Sequence, residues 1–126
     1  MEPLPKMNPE IKAKWIEALR SGRYGQCKES LHLEGDGFCC LGVLCDLMDP
    51  KGWDKAENQP SGTGYQCAFH KFSVAVLPPD VIKWAGIDYL RGDTVLIYPE
   101  NSYTLAGLND NGKTFSEIAD VIEREL

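Results

Sequence analysis

Apolar residues recur at helical spacing in two segments, one toward each end of the chain. In "NPEIKAKWIEALRSG", Ile11, Trp15, Ala18 and Leu19 share one face, while Lys12, Lys14 and Glu17 fall elsewhere. Asn8 caps this predicted helix, Pro9 has its φ already set for the first helical position, and Gly22 stops it. In "TFSEIADVIEREL", Phe115, Ile118, Ala119, Ile122 and Leu126 make a buried stripe, and Thr114 with Glu117 forms a capping box.

Between these helices the pattern changes. Leu31 and Leu33 alternate with Ser30 and His32, which predicts a short strand, and "EGDG" after it is a turn. From Phe38 to Met48, "FCCLGVLCDLM", apolar residues are nearly continuous. Continuity fits a buried strand or a buried helix. The length, and a glycine at 42 that lets a neighbour approach closely, favour a helix. Residues 49–66, "DPKGWDKAENQPSGTGYQ", are rich in Gly, Pro, Asn and Asp and read as a long loop. A strand is expected near Phe72–Val76 and a short helix after Pro78-Pro79, ended by Gly86. "TVLIY" predicts a strand, with a second around Tyr103 to Leu105, and "NDNG" at 109–112 predicts a turn. Residues 1–7 read as a flexible leader and 8–126 as a single α+β domain. In it, terminal amphipathic helices and a central buried helix pack on a small antiparallel sheet.

Composition narrows the class of partner. The chain has 126 residues, 43% of them hydrophobic and 25% charged, which is an ordinary globular balance. A net charge of -6 argues against nonspecific nucleic-acid binding and against docking on anionic membranes, both of which need Lys and Arg. It permits a basic protein partner. The N-terminus "MEPLPKMNPEIK" lacks the apolar core of a signal peptide, and no apolar run approaches the roughly 18 residues of a membrane span. The expected location is cytoplasmic, where five cysteines in no secreted-type spacing are reduced thiols.

Four blocks, "KWIEALRSGRYGQ", "FCCLGVLCDL", "LPPDVIKWAG" and "LNDNGKTFSEIADVIE", stand in this order along the chain. In them the sequence resembles a family of small uncharacterised proteins of tailed bacteriophages and prophages. The resemblance runs from about Asn8 to Leu126, leaving out the 49–66 loop and the 88–103 segment. It implies a phage or prophage accessory gene expressed in the host cytoplasm, and it carries no activity to transfer.

Several chemistries can be drawn from the residues. Cys39 or Cys40 at a helix N-terminus is a candidate nucleophile, because the helix dipole favours the thiolate. His32 or His70 would serve as its base, with Asp36, Asp46 or Asn109 to orient the ring. Against this, the same cysteines suit a buried helix as small hydrophobes. Helical geometry also turns Cys39 and Cys45 about 120° apart, which does not suit a metal. Cys67-x-x-His70 has one zinc-like spacing and lacks a second pair, so no metal and no cofactor is expected. "SGTG" at 61–64 lacks the Lys-Ser/Thr of a phosphate loop. The carboxylates Asp36, Asp46, Asp54, Asp80, Asp88, Asp93 and Asp110 are scattered through turns and caps, where aspartate sits for backbone reasons.

What remains is a binding surface. Trp53 and Tyr65 lie among lysines in the 49–72 segment, Arg23, Tyr24 and Gln26 cluster in "RYGQ", and Asn109 and Asp110 lie in "LNDNG". Aromatics among cations suit stacking a base or forming a protein interface. The expectation is a non-enzymatic phage-type accessory protein. It binds a host protein or sequesters a small nucleotide-like ligand, and so inhibits a bacterial defence system. The contacts would be Arg23, Tyr24, Gln26, Trp53, Tyr65, Asn109 and Asp110. The alternatives are a small cysteine-dependent hydrolase or transferase using Cys39 or Cys40 with His32 or His70, and a structural or assembly protein, dimeric through exposed aromatics.

Overall fold

The computed structural model describes residues 7–28, 30–61, 64–70, 77–87, 96–98 and 103–125, without the side chains of 55–61, 64, 65, 96–98, 103 and 125. Helix α1 (Pro9–Arg20) is followed by strands β1 (His32–Leu33) and β2 (Gly37–Phe38), then helix α2 (Cys40–Met48). Strands β3 (Trp53–Ser61) and β4 (Gly64–Phe69) come next, then α3 (Pro79–Ala85), β5 (Leu96–Tyr98), β6 (Tyr103–Thr104), α4 (Leu105–Asp110) and α5 (Phe115–Glu125). An antiparallel sheet has the order β2-β1-β4-β3, and β5 pairs with β6 separately. The class is α+β, as the periodicities predict.

Each terminal helix forms where its caps and stripe place it. The Asn8 side chain accepts from the N–H groups of Glu10 and Ile11. Thr114 and Glu117 cap each other reciprocally, at 3.0 and 3.1 Å. Ile11, Trp15, Ala18 and Leu19 of α1 and Phe115, Ile118, Ala119 and Ile122 of α5 are buried in one core with α2. The Trp15 indole N–H donates to the Cys40 carbonyl at 2.9 Å, which satisfies the one polar atom of a fully buried ring.

α2 is the centre of that core: Cys40, Leu41, Val43, Leu44 and Cys45 are all fully buried. Gly42 is the point of closest approach. A Cβ there would stand 1.8 Å from the carbonyl oxygen of Leu31, so the strap leading into β1 lies directly on the helix backbone. Cys39 precedes the helix in extended conformation, and its N–H donates to that same Leu31 carbonyl at 3.1 Å.

Four expectations are corrected. Residues 49–66 are not a loop over their length: β3 and β4 form a hairpin pairing Trp53 with Phe69 and Ser61 with Gly64. β3 is mostly polar in sequence, and periodicity cannot find a strand whose pattern holds so few apolar positions. β4 alternates Tyr65, Cys67 and Phe69 with Gly64, Gln66 and Ala68, a strand signal hidden by the Gly- and Pro-rich residues before it. Met7, assigned to the leader, is 3% exposed within the core, and the Asn8 N–H bonds the Ala85 carbonyl. Leu105, assigned to a strand, begins α4 behind a Thr104 cap that accepts from the Gly107 N–H. The turn assigned to 109–112 is confined to Asn111 and Gly112, because Asn109 and Asp110 are the last turn of α4. The expected strand near Phe72–Val76 lies outside the described residues, while α3 ends at Gly86 as read.

Candidate binding face

Helix α2 and its N-cap position three of the five thiols, Cys39, Cys40 and Cys45. Cys39 is the N-cap of α2, and its Sγ accepts from the Gly42 N–H at 3.4 Å. A helix N-terminus stabilises a thiolate, yet burial outweighs it here: the Cys39 thiol is pushed up to about 11 and Cys27 to about 12. Desolvation also raises Cys40 and Cys45, both fully buried. The expected lowering at the head of the helix is therefore reversed. The histidines are engaged elsewhere. His32 Nδ1 bonds the Gly37 carbonyl at 2.8 Å, and His70 uses both ring nitrogens on Asp49 and Asp80. Cys67 is buried in β4, and among the described residues no group of three or more His, Cys, Asp or Glu is arranged so that it could hold a metal ion.

The second arrangement joins residues from five segments. Asp46 is the only charged residue of α2 and lies half-buried near its end. One of its oxygens accepts from the Tyr24 hydroxyl at 2.7 Å and the other from the Trp53 indole N–H at 3.1 Å. Around this carboxylate the rings contact one another. Tyr24 meets Phe38 edge-on at 5.1 Å, His32 stacks on Phe38 at 4.0 Å, and Phe38 meets Trp53 at 5.8 Å. His32 and Phe38 are direct partners across the β1–β2 pair, which fixes their stack. Tyr24, His32, Phe38 and Trp53 are all half-buried, so each packs on the core and still presents part of its ring to solvent. Burial, and then Asp46 as hydrogen-bond acceptor, raise the Tyr24 hydroxyl to about 12, so it remains a donor at any ordinary pH.

The third arrangement is internal. Asn109 is 0% exposed. Its amide nitrogen donates to the Cys27 carbonyl at 2.8 Å and to Asp110 at 3.3 Å. Its oxygen accepts from the Gln26 side chain at 2.9 Å and from the Cys40 N–H at 3.3 Å. Gln26 also donates to the Lys113 carbonyl at 2.7 Å.

The residues expected to form one contact surface thus divide. Tyr24 and Trp53 meet on Asp46, whereas Gln26, Asn109 and Asp110 gather at the head of α2. Arg23 is exposed and pairs with Glu17 at 3.2 Å. Tyr65 lies in β4 opposite Pro60, with its side chain outside the described set. Asp46 and Phe38 were missed as members of the face. A single carboxylate in an otherwise apolar helix was the available signal for Asp46. A hollow of about 250 Å³ lies along α5 and one of about 530 Å³ lies along α1, with Glu123 at its edge; neither is lined by the aromatic face.

The chain belongs to the family described as a domain of unknown function, DUF8296, which matches residues 7–126. No curated protein and no solved structure matches it. No helix among the described residues is long and apolar enough to cross a membrane.

Proposed function

We propose that the chain is a non-enzymatic, phage-type accessory protein of the bacterial cytoplasm that binds a host protein and thereby inhibits a defence system. The observation that carries the binding reading is the Asp46 constellation: a carboxylate held by Tyr24 and Trp53, two of four half-buried rings in mutual contact. Half-buried aromatics in a rigid setting supply contact area at small entropic cost, which suits a protein interface. A central carboxylate and a net charge of -6 favour a basic partner side chain, an Arg or Lys, over the phosphates of a nucleotide-like ligand. The thiol-hydrolase alternative is disfavoured, since the thiols are buried with raised pKa and both ring nitrogens of His70 are held by carboxylates.

The test is a photo-reactive residue at the exposed Asp54 position, expressed in bacterial cells. The expected result is a cross-link to one host protein that is lost in Asp46→Asn and Trp53→Phe variants of native circular dichroism. Purified protein should then bind that partner, and a nucleotide panel should leave Trp53 fluorescence unchanged. Cross-links indifferent to both variants, or spectral changes produced by nucleotides alone, would overturn the reading.

A further inference from the structure

His70 ends the β3–β4 hairpin in a conformation few side chains adopt. Its φ is +50, the left-handed region, and it is the one non-glycine residue there among those described. Such a backbone costs of order 1 kcal/mol and persists where surroundings over-determine it. Here three segments converge on the ring. Asp49, the C-cap of α2, places Oδ2 at 2.8 Å from Nε2. Asp80, in the first turn of α3, places Oδ2 at 2.5 Å from Nδ1. The ring stacks on Phe69 at 4.1 Å and lies over Gly52, where a Cβ would come within 2.7 Å of it. The His70 N–H is itself bonded to the Gly52 carbonyl.

A neutral imidazole has one N–H donor and one bare nitrogen; only the imidazolium donates from both. Two carboxylates on opposite nitrogens therefore require the cation. We propose that His70 is a proton-operated clip, which as imidazolium fastens the end of α2 and the start of α3 to the exit of the hairpin, and on deprotonation releases one of them. Release follows because a bare nitrogen facing a carboxylate oxygen is repelled rather than bonded. The clip rests on this geometry alone and needs no ligand, so it goes beyond the proposed binding face.

The charges around the ring act in a consistent sense. Asp49 and Asp80 face it directly. The hydrogen bond from the His70 ring, and then the backbone N–H of Lys51, hold the Asp49 carboxyl below its usual range. Asp80 also accepts the Val81 N–H, and Lys83 lies further along α3. Hydrogen bonding to Asp49, then to Asp80, holds His70 above its ordinary value in spite of some desolvation. A raised pKa means the clip's stabilisation is complete below the unfolded value, about 6.5, and is lost as pH climbs through the folded value. Asp49 sets the lower limit, since its contribution disappears as pH falls through its depressed pKa.

The test is a histidine-ring NMR titration of the intact protein, with melting curves over the same pH range. At pH 6 both His70 ring nitrogens should carry protons, and the ring should titrate above 6.5. Asp49→Asn and Asp80→Asn, each keeping the shape of its side chain, should each lower that value. The melting temperature of the wild type should fall from pH 6 to pH 9 by more than that of His70→Gln. A ring that is a single neutral tautomer at pH 6, or a wild-type profile parallel to that of His70→Gln, would overturn the clip. Should one amide variant fail to fold, the other and the wild-type titration still decide it.

Discussion

Asn109 reaches across 69 residues of sequence to the first turn of α2, where its side-chain oxygen accepts from the backbone N–H of Cys40. A helix begins with N–H groups that lack intrahelical partners, and a buried helix cannot leave them to water. Cys39 satisfies the Gly42 N–H and Asn109 that of Cys40. The same amide holds the Cys27 carbonyl and the Gln26 side chain, so one buried residue closes a junction between three segments.

Removing it should therefore cost more than one hydrogen bond. Asn109→Ala strands the Cys40 N–H and the buried Cys27 carbonyl together, and a loss of about 2–4 kcal/mol is expected in urea denaturation. Asn109→Asp keeps the volume and replaces the donor with a carboxylate facing a carbonyl. It should lose a similar amount at pH 7 and recover part of it on acidification. A loss under about 0.5 kcal/mol for either would show that water replaces the junction.

How much of this was legible follows from which forces are local. The terminal helices announce themselves because caps and stripe lie within a few residues of each other: Asn8 with Ile11, Thr114 with Glu117. Gly42 was legible as a point of close approach, although not that Leu31 fills it. The β3–β4 hairpin was not, because its partners lie across the sheet, β3 is mostly polar, and the alternation of β4 follows directly on a Gly- and Pro-rich stretch. Asn109 looked like turn chemistry because "NDNG" is a turn signal. Its place four residues after Leu105, the i, i+4 spacing of a single helix face, was the sign that it points into the core. The junction of Tyr24, Asp46 and Trp53 had no local signal as a set, since it exists only once α2 and β3 are packed.

Gly42→Ala tests the approach of the strap to α2. On an isolated helix alanine is favoured over glycine by up to about 1 kcal/mol. Here the added carbon would stand 1.8 Å from a backbone oxygen, which cannot rotate away. The outcome is expected to have the opposite sign, a destabilisation of about 3 kcal/mol or more, or failure to fold. A melting temperature equal to or above wild type would mean that the strap moves aside.

The cysteines should behave as core residues. With Cys39 at about 11 and Cys27 at about 12, their thiolate fractions at pH 7 are negligible, and burial denies reagent access as well. Iodoacetamide at pH 7 should label the native protein far more slowly than the same protein in urea, at every cysteine. One thiol labelled rapidly in the native state would reopen the nucleophile reading. Cys39→Ala should cost about 0.5–1 kcal/mol through loss of the cap to Gly42, and Cys39→Ser should restore it.

The Asp46 constellation makes the sharpest stability prediction, because both donors serve one carboxylate. Tyr24→Phe and Trp53→Phe each remove one bond to a charged acceptor and leave the other. At a half-buried site each should cost about 1–2 kcal/mol. With both donors gone, the half-buried carboxylate keeps neither of its side-chain partners, so the double variant should lose more than the sum of the two. Replacing Asp46 by Leu in that background removes the stranded charge and should recover stability, although in the wild type the same substitution destabilises by orphaning two donors. That reversal of sign separates a hydrogen-bonded unit from a coincidence of neighbours. Additive losses, with no recovery from Asp46→Leu, would mean that water already satisfies the carboxylate and that the rings are held by packing alone.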